Sequence, residues 1–78
     1  MMMNLTRMTK CFSYLDNLRV SGITNMYGAR PYLAKAMRLS DDDARIVLHD
    51  WLRTFSRDKT AAERAASVVK ANETEIAR

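Results

Sequence analysis

The residues able to do chemistry gather in the middle of the chain. Three consecutive carboxylates, Asp41, Asp42 and Asp43, are followed by Arg45, His49 and Arg53 at four-residue intervals, and Arg30, Lys35 and Arg38 precede them. Four-residue spacing puts Arg45, His49 and Arg53 in one row along the outer side of a helix. A row of cations with further cations beside it suits phosphates or an acidic protein surface. The competing reading is that Asp41–Arg45 and Asp50–Arg53 are intrahelical ion pairs, each stabilising the helix by only about 0.2–0.5 kcal/mol.

Catalysis finds no support in these residues. No Ser, Cys or acid is placed by sequence to work with His49, which therefore reads as a solvent-facing or rim residue. Three consecutive helical aspartates point in different directions and cannot chelate one ion together. With one cysteine, Cys11, and one histidine there is neither an internal disulfide nor a conventional zinc site, and Cys11 reads as a small buried hydrophobe. A glycine-rich phosphate loop is also missing. The expectation is a non-enzymatic protein without cofactor or metal.

The elements that would position these residues follow from apolar spacing. Seventy-eight residues make one domain, expected to bury about 60% of its unfolded surface. Residues 1–6 are expected to be a frayed N-terminus, residues 7–56 a three-helix core, and residues 57–78 a C-terminal helix. In the first helix, over residues 7–20, Met8, Cys11, Phe12, Leu15 and Leu18 form a stripe, while Arg7, Lys10, Asp16, Asn17 and Arg19 stay wet. Ser21-Gly22 stops it. Ile23, Met26 and Tyr27 would reach back onto the core from a connector. Pro31 opens a second helix with Leu33, Ala36 and Met37 inward.

Ser40 then caps a third helix, with Asp43 in the capping-box position and three aspartates at the positive end of the helix dipole. Its stripe is Ala44, Val47, Leu48, Trp51, Leu52 and Phe55. Thr60 and Glu63 repeat the capping-box pattern for an alanine-rich fourth helix, whose inward candidates are Ala62, Ala65, Ala66, Val69 and Ile76. That thin stripe leaves three uses open: docking on this chain, projecting, or pairing in a homodimer.

The fold class is thus all-α, a three-helix bundle with a helix-turn-helix-like unit plus the fourth helix. The unit wants a small residue in its first helix (Ala34), apolar flanks (Leu33, Met37), an apolar residue in the turn (Leu39) and inward residues beyond (Ala44, Val47). Arg38 departs from the glycine often found where the turn takes a positive φ, a geometry costing a non-glycine residue about 1–2 kcal/mol. In such motifs the tip of the second helix faces base edges. Here that tip is Asp41–Asp43, and DNA carries one negative charge per about 1.7 Å of axis, so entry by the tip is repulsive. The basic face made by Arg30, Lys35, Arg38, Arg45, His49 and Arg53 is the better nucleic-acid contact.

Among the aromatic residues, Phe12, Trp51 and Phe55 fall on apolar stripes and are expected in the core. Tyr14 and Tyr32 remain as exposed anchors for a partner. The net charge of +4 is uneven: residues 1–38 carry six cations against Asp16 alone, and the rest seven cations against eight acids. That asymmetry favours a polyanion or an acidic protein. Arg7 and Lys10 interrupt any signal-peptide run, and no stretch of about 18 uncharged residues exists to span a membrane. A soluble cytoplasmic protein is expected.

The blocks Tyr14-Leu15-Asp16-Asn17-Leu18-Arg19, Ser21-Gly22-Ile23-Thr24-Asn25-Met26-Tyr27-Gly28-Ala29 and Pro31-Tyr32-Leu33, continued by Leu39-Ser40, Ala44-Arg45, Val47-Leu48 and Trp51, resemble small uncharacterised helical proteins encoded by bacteriophages. The resemblance covers residues 14–55 and implies action in the host cytoplasm. Small phage proteins of this size commonly regulate transcription or inhibit a host machine, anti-CRISPR and other anti-defence proteins included. The leading expectation is a phage-type regulator binding nucleic acid through the basic face. The alternative is a protein-binding inhibitor presenting Tyr14, Tyr32 and the Asp41–Asp43 tip, or the basic N-terminal half, to a host protein.

Overall fold

Asn4 sets the start of the first helix. Its side chain accepts the Arg7 backbone N–H at 2.8 Å, and α1 runs over Leu5–Ser21. The helix therefore begins ahead of Arg7, because Asn4 satisfies an N–H that would otherwise be orphaned. Met8, Cys11, Phe12, Leu15 and Leu18 are all buried, as their spacing predicts. Gly22 ends the helix at φ 70°, a conformation open to glycine without steric cost. The computed structural model describes the backbone of residues 3–76 and the side chains of residues 3–70.

A 3-10 turn, Met26–Gly28, follows, with the Asn25 side chain accepting the Gly28 N–H at 3.1 Å. With three residues per turn, successive side chains diverge widely. Met26 packs against the core, whereas Ile23 and Tyr27 face water, contrary to expectation.

Helix α2, Arg30–Met37, has Pro31 in its first turn. Its inward row is Ala29, Leu33 and Met37 at four-residue spacing, so Ala36, expected inward, is exposed. Arg38 closes the helix at φ 54°, ψ 46°, and the N–H groups of Arg38 and Leu39 both donate to the Ala34 carbonyl.

Ser40 opens α3, Asp41–Arg53, by accepting the Asp43 N–H at 3.1 Å. Ala44, Val47, Leu48 and Trp51 are buried, and Leu52 is half-buried. Phe55 lies beyond the helix end, out of helical register, and is 38% exposed instead of fully in the core.

Helix α4, Ala61–Ile76, starts on a complete capping box: the Glu63 N–H donates to Thr60 Oγ1 at 3.1 Å and the Thr60 N–H donates to Glu63 Oε1 at 3.0 Å. Arg64, Ala65 and Val68 are buried, with Ala61 and Val69 partly so. Ala62 and Ala66, expected inward, are exposed, and the Ile76 side chain lies outside the described residues. The buried row is thus displaced around the helix from the expected one.

Helix α1 is the common partner. It touches α2, α3 and most extensively α4, while α2 packs on α3. The described part of α4 therefore docks on its own chain. Among the described residues there are four α-helices and no strand, and no helix is long and apolar enough to cross a membrane.

Candidate functional site

The expected basic face divides into engaged and unengaged cations. Arg30 Nε meets Asp41 Oδ1 at 3.1 Å, and Arg53 Nη2 meets Asp50 Oδ1 at 3.3 Å. Asp41 thus pairs across to α2, and the expected Asp41–Arg45 pair does not form. Lys35, Arg38, Arg45 and His49 are exposed, and none of their side chains has an ion pair or hydrogen bond among the described residues. Both pairs that do form involve exposed arginines, so each contributes at most about 1 kcal/mol.

The near balance of charge limits what this face can do. Arg30, Lys35, Arg38, Arg45 and Arg53 stand against Asp41, Asp42, Asp43 and Asp50, five cations to four acids. The excess is small and sits where α2 turns into α3. There a cation that sequence spacing could not find joins it: the Arg7 guanidinium, thirty residues away in sequence, donates to the Met37 carbonyl. This satisfies one of the orphan carbonyls at the end of α2 and places positive charge at the negative end of its dipole. Next to it, Arg38 holds a left-handed backbone conformation that a glycine would take without strain.

The two tyrosines behave differently from each other. Tyr14 is half-buried, and its hydroxyl donates to the Tyr32 carbonyl at 3.4 Å, tying α1 to α2. Tyr32 is exposed, and so, at 85%, is Tyr27, which was expected in the core. Asp42 is exposed, while Asp43 is half-buried with its backbone N–H engaged by Ser40.

A polar node with no counterpart in the sequence-based expectations joins α1, α3 and α4. Asp16, expected to stay wet, accepts the Trp51 indole N–H at 2.9 Å and Arg64 Nη1 at 3.0 Å on one oxygen. Arg64 is only 2% exposed. Its Nη2 donates to the Trp51 carbonyl at 2.6 Å and its Nε to the Thr54 carbonyl at 3.1 Å. Its guanidinium carbon also lies 5.3, 5.0 and 5.1 Å from the ring centres of Phe12, Trp51 and Phe55. A buried cation is costly unless paired and hydrogen-bonded, and here each requirement is met.

No protein-family model, curated protein or solved structure matches the chain. Function therefore has to be read from the chemistry of the surface.

The remaining reactive group is Cys11, a free and buried thiol. Burial pushes its pKa up, only partly offset by the nearby Arg7 charge, so the group stays a thiol at neutral pH. Its sulfur lies 3.9 Å from that of Met3, which packs against the core. As expected from sequence, Cys11 is a packing residue.

Proposed function

We propose that the chain is a small non-enzymatic regulator of the phage type, in which the α2–α3 unit works as a helix-turn-helix-like module and holds a nucleic-acid backbone at its corner. The observation carrying this reading is Arg38. An arginine occupies a backbone conformation costing about 1–2 kcal/mol, and its exposed side chain contributes no ion pair or hydrogen bond to the fold among the described residues. Strain retained at an exposed cation is accounted for by a contact outside the fold. Lys35 and Arg45 would add phosphate contacts, with His49 at the rim, while Arg30 and Arg53 would first have to leave their carboxylates.

The aspartates at the start of α3 keep the helix tip out of the groove by repulsion. The contact is then to phosphates, with little base readout. Net charge on the unit is low, so affinity should be in the non-specific range, Kd about 10⁻⁴–10⁻⁶ M near physiological salt. Fluorescence anisotropy with a labelled duplex is the test. Binding at low salt that falls steeply as salt rises supports the reading, and no binding at low salt rejects it.

A second reading, a protein-binding inhibitor of a host machine such as an anti-CRISPR or other anti-defence protein, is favoured by the exposed rings of Tyr27 and Tyr32. Exposed aromatic residues commonly anchor protein interfaces. Capture of one stoichiometric bacterial protein from nuclease-treated lysate would select it. Either activity would be exercised in the host cytoplasm. A homodimer through α4 would have to use the face turned away from α1, and light scattering that gives a monomer at high concentration disposes of it.

A further inference from the structure

We propose that the cavity between the last turns of α1 and the loop joining α3 to α4 is a binding site for a phosphate-type anion, separate from the α2–α3 corner. The cavity is a shallow cleft open to solvent, about 250 Å³ in volume, lined by Arg19 and Val20 from α1, Phe55, Arg57 and Lys59 from the loop, and Arg64 from α4. Its charge is one-sided. Four cations line it against a single carboxylate, Asp16, one oxygen of which already accepts from both Trp51 and Arg64.

Two of these cations are fixed before any ligand arrives. Arg64 is held by three hydrogen-bond acceptors. The Arg19 guanidinium lies 4.8 Å from the centre of the Phe55 ring, and that ring is itself set against Trp51 at 5.2 Å. Their positions are explained by packing alone. Arg57 and Lys59 are both exposed and neither makes a direct ion pair among the described residues, although the Lys59 charge is near enough to Glu63 to help hold its carboxyl down. Of the nearby acids, Glu63 is engaged by the Thr60 N–H, and Asp58 does not line the cavity. Ser56, which does line it, accepts the Asp58 N–H and has a hydroxyl hydrogen to give.

Two cations held by packing beside two exposed ones favour an oxyanion carrying more than one negative charge. Pockets that enclose a drug-sized ligand run to about 300–1,000 Å³, so this one suits a small anion or a single phosphoryl group and not a whole cofactor. The phosphoryl group could belong to a free phosphate or to a nucleic-acid backbone.

The test is an NMR titration of the full chain with sodium pyrophosphate, at ionic strength held constant with chloride. A parallel titration uses a short single-stranded oligonucleotide. Saturable shifts at Ser56, Arg57, Lys59 and the guanidinium N–H groups of Arg19 and Arg64 are expected with pyrophosphate. The exposed double variant Arg57→Gln/Lys59→Gln should bind at least roughly tenfold more weakly with its melting curve unchanged, the loss appropriate to charge-assisted hydrogen bonds. The same shifts with the oligonucleotide would assign the phosphoryl group to a nucleic-acid backbone, and shifts with pyrophosphate alone to a free phosphate. No saturable shift at millimolar pyrophosphate, or equal affinity in the double variant, would overturn the proposal. Neither outcome depends on whether duplex binds at the α2–α3 corner.

Discussion

Arg64 donates to the backbone carbonyl of Trp51 at 2.6 Å while its guanidinium lies 5.0 Å from the indole ring of the same residue. One side chain of α4 thereby closes the end of α3 and packs on its largest core group. Arg7 does the corresponding work at the end of α2 through the Met37 carbonyl. Two helices of this small domain thus have C-terminal carbonyls satisfied by an arginine from another helix, a tertiary addition to the local caps made by Arg38 and Thr54.

Breaking the node should therefore cost more than its few atoms suggest. Arg64→Ala leaves the Trp51 and Thr54 carbonyls unpaired and Asp16 with one partner fewer, and should destabilise by about 3–5 kcal/mol. Arg64→Lys restores charge but not the fork that spans three acceptors, and should lose about 2 kcal/mol. Asp16→Asn keeps an acceptor for the indole but leaves the buried Arg64 guanidinium without its counter-charge, and should cost about as much as Arg64→Ala. Urea denaturation followed by the emission of Trp51, the single tryptophan, gives the order directly.

Arg38→Gly should stabilise the protein. Relief of the left-handed backbone, less the greater freedom glycine has in the unfolded chain, amounts to about 0.5–1 kcal/mol. The same substitution should weaken duplex binding. An increase in denaturation midpoint together with a loss of affinity is an outcome that a purely structural role for Arg38 does not produce.

The capping box of α4 should make that helix acid-sensitive. The Thr60 backbone N–H, with the Thr60 side chain second, holds the Glu63 carboxyl below its ordinary value near 4.5. A depressed folded-state pKa gives stability that is fully present above the unfolded value and disappears as pH falls through the folded one. Glu63→Gln retains the acceptor but does not titrate. The thermal midpoint of the wild type relative to Glu63→Gln should therefore decline from about pH 5 downward, and a difference independent of pH would show that the carboxylate bond is not made in solution.

Helix existence was legible from the sequence because apolar period and caps agree: the α1 stripe, Ser40, and the Thr60–Glu63 box all stand where spacing put them. The face of α4 was not. An alanine-rich helix offers little contrast between rows, and its inward row, Ala61, Arg64, Ala65 and Val68, includes an arginine that composition assigns to water. Asp16 was concealed in the same way, although it continues the Met8–Phe12 row at four-residue spacing. Charged side chains buried by mutual pairing are invisible to hydrophobic periodicity, since each depends on a partner far along the chain. The basic face was legible as a list of residues. The division into paired and unpaired cations was not, because Asp41 had equally good partners one turn along its own helix and across on α2.

The most direct test of the functional account is the salt dependence of duplex binding, compared between the wild type and Lys35→Gln/Arg38→Gln/Arg45→Gln. Each lost phosphate contact should lower the slope of log K against log salt by about 1, so the triple variant should bind weakly with a slope about three lower. A wild type that ignores salt, or a triple variant with an unchanged slope, would contradict the assignment of the α2–α3 corner as the contact surface.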